Sequence, residues 1–125
     1  MKILLDTHVL LWWLDDPSLL STKAREAISN EENIVFVSAV SIWEITIKQS
    51  LGKLRIPQGI DSLLHKDFFT ELPVSILHAR MVGQLSNVHS DPFDRLLIAQ
   101  SLLEKALLVT RDNVFKKYEV PLIKA

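Results

Sequence analysis

Short apolar runs alternate along this chain with longer segments in which apolar positions recur every three or four residues. Ile3-Leu4-Leu5, Ile34-Val35-Phe36-Val37, Leu72-Pro73-Val74 and Leu107-Leu108-Val109 are apolar on both side-chain faces, the pattern of strands covered on both sides. Proline weakens the third, because it cannot donate to a strand ladder. Val120-Pro121-Leu122-Ile123 reads as an edge strand. A first helix is predicted just after Asp6, stopped by the turn cluster Asp15-Asp16-Pro17-Ser18, and Ser21 reads as the N-cap of a second. Ser41-Ile42-Trp43-Glu44 fits a capping box, with Trp43 and Ile47 continuing a helix that Gly52 can close in the left-handed conformation. Ile60 to Phe69 and Ile76 to Leu85 read as two more helices. Asp91-Pro92-Phe93-Asp94 has the form of a helix start, with Asp91 as N-cap and proline at the first helical position, ahead of Leu96 to Leu103. Strands alternating with helices predict an α/β fold, a mostly parallel central sheet of about five strands wrapped by helices.

Composition narrows the chemistry. At 125 residues and 48% hydrophobic, the chain is expected to form one domain over residues 1–125, with a core that needs no staples. There is no cysteine, which excludes disulfides, thiolate metal sites and a cysteine nucleophile. Any metal must therefore sit on oxygen or imidazole. Fourteen Lys and Arg against fifteen Asp and Glu leave a net charge of −1, so no global positive field recruits nucleic acid or membrane. The apolar runs fall far short of the ~20 residues of a membrane span, and Asp6 interrupts any signal-like apolar stretch at the start. A soluble, cytoplasmic protein with no membrane contact is expected.

The acids carry the chemistry. Open α/β sheets bind ligands beyond the carboxyl ends of their strands, and Asp6 and Asp112 follow the first and fourth strands closely. Glu44 falls about two turns past the second strand, and Asp94 in the first turn of its helix. Four carboxylates able to converge on one edge make a hard-oxygen site suited to Mg²⁺ or Mn²⁺ and, through the metal, to phosphate esters. Each acid also has a local reading. Glu44 can complete the capping box or pair with Lys48, Asp94 can complement the helix dipole, Asp91 fits a cap, and Asp112 fits a turn. Asp6 is hardest to explain locally, because an acid ending a buried strand is poorly solvated. His8, His65, His78 and His89 share no ligand-like spacing and read as scattered side chains. Lys48, Lys53, Arg55, Arg95 and Arg111 could touch a phosphate backbone, with solvated charge as the default.

Four blocks taken together resemble a known family. They are Leu4-Leu5-Asp6-Thr7-His8-Val9-Leu10-Leu11-Trp12-Trp13, Val37-Ser38-Ala39-Val40-Ser41-Ile42-Trp43-Glu44-Ile45, Asp91-Pro92-Phe93-Asp94-Arg95-Leu96-Leu97-Ile98-Ala99-Gln100 and Leu108-Val109-Thr110-Arg111-Asp112. In their order they resemble the PIN domain, and within it the VapC-type toxins, over nearly the whole chain. The resemblance implies a three-layer α/β/α fold and a metal-dependent ribonuclease, the toxin of a toxin–antitoxin pair. It places Asp6, Glu44 and Asp94 at the family's three principal acids and Asp112 at its more variable fourth. Thr7 and Thr110 match hydroxyl positions that support them. The implied partners are an RNA substrate, a cognate antitoxin and, because such proteins commonly pair, a second copy in a homodimer.

The implied reaction is hydrolysis of RNA by a metal-activated water, with Mg²⁺ or Mn²⁺ held by Asp6 and Asp94 and, through water, by Glu44 and Asp112. A water nucleophile needs no ribose 2′-hydroxyl, so the product carries a 5′-phosphate. Asp6-Thr7-His8 also has the D-x-H form of calcineurin-like phosphoesterases, but none of Gly52, Gly59 and Gly83 precedes an Asn-His pair. Haloacid-dehalogenase-type phosphatases need an acid where His8 stands, and a receiver domain leaves Asp94 unexplained. A catalytically silent PIN-like binding module and a housekeeping RNA-processing nuclease are the alternatives that stay open.

Overall fold

Residues 1–56, 69–87 and 89–125 are described by a computed structural model of the chain. Lys2–Leu5 (β1), Ile34–Ser38 (β2), Phe69–Leu72 (β3), Leu107–Thr110 (β4) and Leu122–Lys124 (β5) form one sheet in the order β3-β2-β1-β4-β5. Every neighbouring pair is parallel, with Ile3 opposite Val35 on one side and Leu107 on the other. The helices are α1 (Thr7–Asp15), α2 (Thr22–Ser29), α3 (Ala39–Ser50), α4 (Ile76–Val82) and α5 (Pro92–Glu104), with 3₁₀ turns at Pro17–Leu19 and Asn113–Tyr118.

The continuous apolar strands divide their side chains between two cores, as the twofold strand repeat requires. Ile3, Leu5, Val35, Val37 and Val109 face one core with Val9 and Leu10 of α1 and Ala24 and Ile28 of α2. Leu4, Phe36 and Leu108 face the other with Leu97 and Ile98 of α5 and with Phe115. The result is the three-layer α/β/α fold expected, with helices covering both faces of a parallel sheet. No helix among the described residues is long and apolar enough to cross a membrane.

Local signals were accurate where both ends of the interaction are close in sequence. Ser21 caps α2 through the Ala24 N–H at 3.1 Å, and Asp91 caps α5 through the N–H groups of Phe93 (2.9 Å) and Asp94 (3.2 Å). Gly52 takes up φ +72° just beyond α3, and a Cβ there would meet nothing within 4 Å. Gly52→Ala therefore carries only the backbone cost of the left-handed conformation, an expected loss of about 1 kcal/mol. Denaturant unfolding at constant slope checks this, and an unchanged midpoint would contradict it.

Other expectations shift. Ser38, not Ser41, caps α3, accepting from the Val40 N–H at 3.0 Å. The helix starts directly at the strand end because Val40 is buried in the second core, so Ser41 and Glu44 lie within the helix and form no capping box. The third strand is Phe69–Leu72 and not Leu72–Val74, which leaves Pro73 just outside the ladder, where its missing N–H costs nothing. The helix expected over Ile60 to Phe69 lies outside the described residues, except that Phe69 opens β3. The fifth strand sits at the sheet edge as expected but covers Leu122–Lys124.

Candidate metal centre

The strand order places a crevice where the sheet changes direction. The chain moves outward from β1 through β2 to β3, then returns to lay β4 against the opposite side of β1. Beyond the carboxyl ends of β1 and β4 the connections diverge, which is where open α/β sheets bind ligands. Asp6 leaves β1 at this point. Its N–H donates to the Val109 carbonyl at 3.0 Å, and it stands at the N-cap position of α1 without making a side-chain capping bond. Instead the Thr110 hydroxyl, at the end of β4, donates to Asp6 Oδ2 at 2.8 Å. An acid only 5% exposed, in a cap position it does not use, has no local structural task.

Each remaining acid arrives from a different element. Glu44 faces inward from α3, with Oε2 accepting from Lys48 Nζ at 2.9 Å, the i,i+4 pairing the spacing allowed. One turn earlier on α3, Ser41 accepts a hydrogen bond from Thr7 at 3.0 Å, which ties α3 to the start of α1 beside Asp6. Asp94 projects from the first turn of α5. Asp112 is exposed and lies across Thr110, donating its N–H to the same hydroxyl oxygen at 3.1 Å while its Oδ1 accepts from the Val114 N–H at 3.0 Å.

Electrostatics join three of the four acids. Burial pushes the Asp6 carboxyl above its ordinary value, opposed by the Thr110 hydrogen bond, the charge of His8 and the Thr7 N–H, and reinforced by the charge of Glu44. Asp94 is raised to about 6, first by burial, with Asp91 and Asp6 adding to the shift and His89 opposing it. Asp6 thus feels Glu44, and Asp94 feels Asp6. Raised carboxyls crowded together are what a divalent cation relieves, and the available donors are hard oxygens and imidazole. The donor set fits Mg²⁺ or Mn²⁺.

The histidines and arginines divide differently from their sequence reading. His89 Nε2 lies 2.8 Å from Asp94 Oδ2, and single donor atoms of His89, Asp91 and Asp94 all lie within 4.8 Å of one another. The one signal available for His89 was its position two residues before the Asp91 cap. His78, by contrast, is a satisfied core residue: its Nδ1 accepts from the Ser75 N–H at 3.0 Å, which leaves Nε2 to donate to Glu104 at 2.8 Å. Arg95 does not reach outward toward RNA. Its guanidinium binds the carbonyls of Val82 (3.0 Å), Ser86 (2.9 Å) and His89 (3.2 Å) and the Tyr118 hydroxyl (3.2 Å). Arg111 is likewise engaged, 4.3 Å above the Trp12 ring and bonded to the carbonyls of Leu19 and Ala125. Lys53 and Arg55 stay exposed.

A three-layer parallel α/β fold with a buried acid at the end of its first strand, electrostatically coupled to acids on two helices, points to the PIN class of domain. The PIN domain family model matches residues 3–121, and this chain belongs to that family. Ribonuclease VapC22 of Mycobacterium tuberculosis is 29% identical over 122 residues, covering 95% of this chain and 93% of that protein. Among solved structures, VapBC2 from Rickettsia felis, bound to a DNA fragment from its promoter, matches with a TM-score of 0.74 at 16% identity, covering 99% of this chain and 98% of that one. FitAcB from Neisseria gonorrhoeae matches with a TM-score of 0.69 at 20% identity, covering 99% and 97%. The motif resemblance to VapC-type PIN domains is thereby borne out.

Proposed function

We propose that this protein is a divalent-metal-dependent endoribonuclease of the VapC kind, the toxin of a toxin–antitoxin pair acting on RNA in the cytoplasm. The observation that carries the reading is the buried Asp6 carboxylate, held by Thr110 and electrostatically coupled to Asp94 and Glu44, in a PIN domain. The likeness to a mycobacterial ribonuclease supports the same activity. The VapBC complexes among the structural relatives support an antitoxin partner, which would cover the acidic crevice. Half-buried Trp12 and Trp13 on α1 are proposed to contribute to pairing of two copies.

In this reading Asp6 and Asp94 would hold the cation, with Glu44 and Asp112 in support. Bound there, Mg²⁺ or Mn²⁺ supplies positive charge for the scissile phosphate and makes a nearby water more acidic. Thr110 fixes the orientation of Asp6 by committing its only hydroxyl proton to Oδ2, while its lone pair takes the Asp112 N–H. Asp91 holds the first turn of α5, and with it Asp94, by bonding two backbone N–H groups. Lys48 partly offsets the charge of Glu44.

Purified protein is expected to cleave RNA in Mg²⁺ or Mn²⁺, to lose that activity in EDTA, and to regain it when metal is added in excess. Products should carry 5′-phosphates, and a 2′-deoxy substitution at the scissile nucleotide should leave cleavage possible. Cleavage that persists in chelator, or cyclic phosphate ends, would reject the mechanism. Absence of cleavage on any RNA, together with unaffected growth on expression, would favour the silent binding module.

A further inference from the structure

We infer that His89 is a positioning residue for Asp94: through its Nε2 it holds Asp94 Oδ2, turns the carboxylate toward the crevice and thereby sets the affinity of the site for divalent cations. The inference rests on the proposed role of Asp94 as a metal ligand.

The bond itself is short and directed. His89 Nε2 stands 2.8 Å from Asp94 Oδ2, a charge-assisted distance when the carboxylate is ionised and Nε2 carries the proton. Oδ1 of Asp94 makes no hydrogen bond among the described residues, so one oxygen is held and the other is left for the crevice. Ligating carboxylates and histidines are commonly fixed by such outer partners, whose loss typically weakens metal binding about 10- to 100-fold.

The backbone around His89 is built to hold the ring in place. Its carbonyl accepts from Arg95 Nη1 at 3.2 Å and from the Tyr118 hydroxyl at 3.3 Å. Arg95 stands next to Asp94 on α5 and gathers the Val82 and Ser86 carbonyls as well. The histidine and the acid it touches are therefore referenced to one guanidinium. This also explains why Arg95 faces inward.

A separate cation site on His89, Asp91 and Asp94 fits less well, although donor atoms of the three lie within 4.8 Å of one another. His89 Nε2 is already spent on Asp94, and Asp91 Oδ1 accepts from two backbone N–H groups. Their mutual bonds account for the cluster without an ion of its own.

The test is Mn²⁺ binding by electron paramagnetic resonance and Mg²⁺ binding by calorimetry, on the full chain, alongside cleavage measured against metal concentration. His89→Leu, which has no donor, is expected to weaken both metals by about 10- to 100-fold in equal proportion, with cleavage recovering at saturating metal. His89→Gln can place an amide N–H near the Nε2 position and should restore most of the affinity. His89→Asn places it near Nδ1 and should not. The Gln and Asn pair decides the matter if the Leu variant fails to fold. Unchanged affinity in His89→Leu or in His89→Asn would overturn the positioning role. A selective loss of Mn²⁺ over Mg²⁺ would also overturn it, since that pattern marks a directly ligating imidazole. Asp94→Asn in the same titration separates the two levels of argument. Normal Mn²⁺ binding by Asp94→Asn would overturn the ligand assignment and the inference together, whereas lost binding there with normal binding in His89→Asn would overturn the inference alone.

Discussion

Asp94→Asn is expected to abolish RNA cleavage while leaving the metal-free fold more stable than the wild type. Loss of a ligand charge removes several kcal/mol of transition-state stabilisation, which corresponds to a rate loss of at least about 10³-fold. Stability moves the other way. Asp94 is raised to about 6 because burial and the charges of Asp91 and Asp6 disfavour its ionised form. At pH 7.5 the folded protein carries that penalty, on the order of 2 kcal/mol for a side chain this well covered. Asparagine removes it and can still accept from His89, at the cost of a helix-dipole contact worth about 0.3–1 kcal/mol. The net expectation is a gain on the order of 1 kcal/mol in metal-free thermal melts. Asp91→Asn supplies the contrast. Its side chain accepts from the Phe93 and Asp94 N–H groups, and asparagine caps about as well as aspartate, so stability and cleavage should both stay close to wild type. A purely structural Asp94 gives the reverse result, a small loss of stability with activity intact. An active Asp94→Asn enzyme would remove the foundation of the proposed site.

The same shifts set an unusual pH dependence. A carboxyl with an unfolded value near 3.8 and a folded value of about 6 binds its proton more tightly in the folded state. Between those values the folded protein holds more protons than the unfolded chain, so stability must fall as pH rises. The contribution is fully present below about 4 and lost above about 6. Asp6 is shifted in the same direction by burial and by Glu44, and adds with the same sign. Metal-free protein is therefore expected to melt on the order of 6 °C higher at pH 4.5 than at pH 7, the reverse of ordinary acid destabilisation. Mg²⁺ should recover the loss at neutral pH, by about 2.7 kcal/mol once its concentration reaches a hundred times the dissociation constant. Asp94→Asn should flatten most of the slope. A metal-free profile that is level or rises across this window would show that the carboxylates are not strained by their surroundings.

Several features of this protein were legible in its sequence because their causes are local. Apolar runs without alternation required a sheet covered on both faces, and the observed sheet has a core on each side. Asp91-Pro92 marked the start of α5, Gly52 marked the end of α3, and Glu44 and Lys48 pair at i,i+4. Asp6 was conspicuous because an acid ending a buried strand has few local tasks, and the four motif blocks, taken in their order, resembled the family.

What tertiary structure alone decided involves partners far apart along the chain. Thr110 reaches Asp6 across 104 residues, and Thr7 reaches Ser41 across 34. Ser38 displaced Ser41 as the cap of α3 because Val40 had to enter the second core, a demand the Ser-x-x-Glu pattern does not encode. Arg95 and Arg111 carry the same charge as any surface arginine, yet folding engages both with backbone carbonyls, half-burying Arg95 and tying the still exposed Arg111 to Leu19 and Ala125. Caps, turns and hydrophobic period are settled by energies acting over one or two turns, so they can be read in a line of residues. The orientation of a carboxylate depends on which strand ends and helix starts meet at the edge of the sheet, and the closed core determines that meeting.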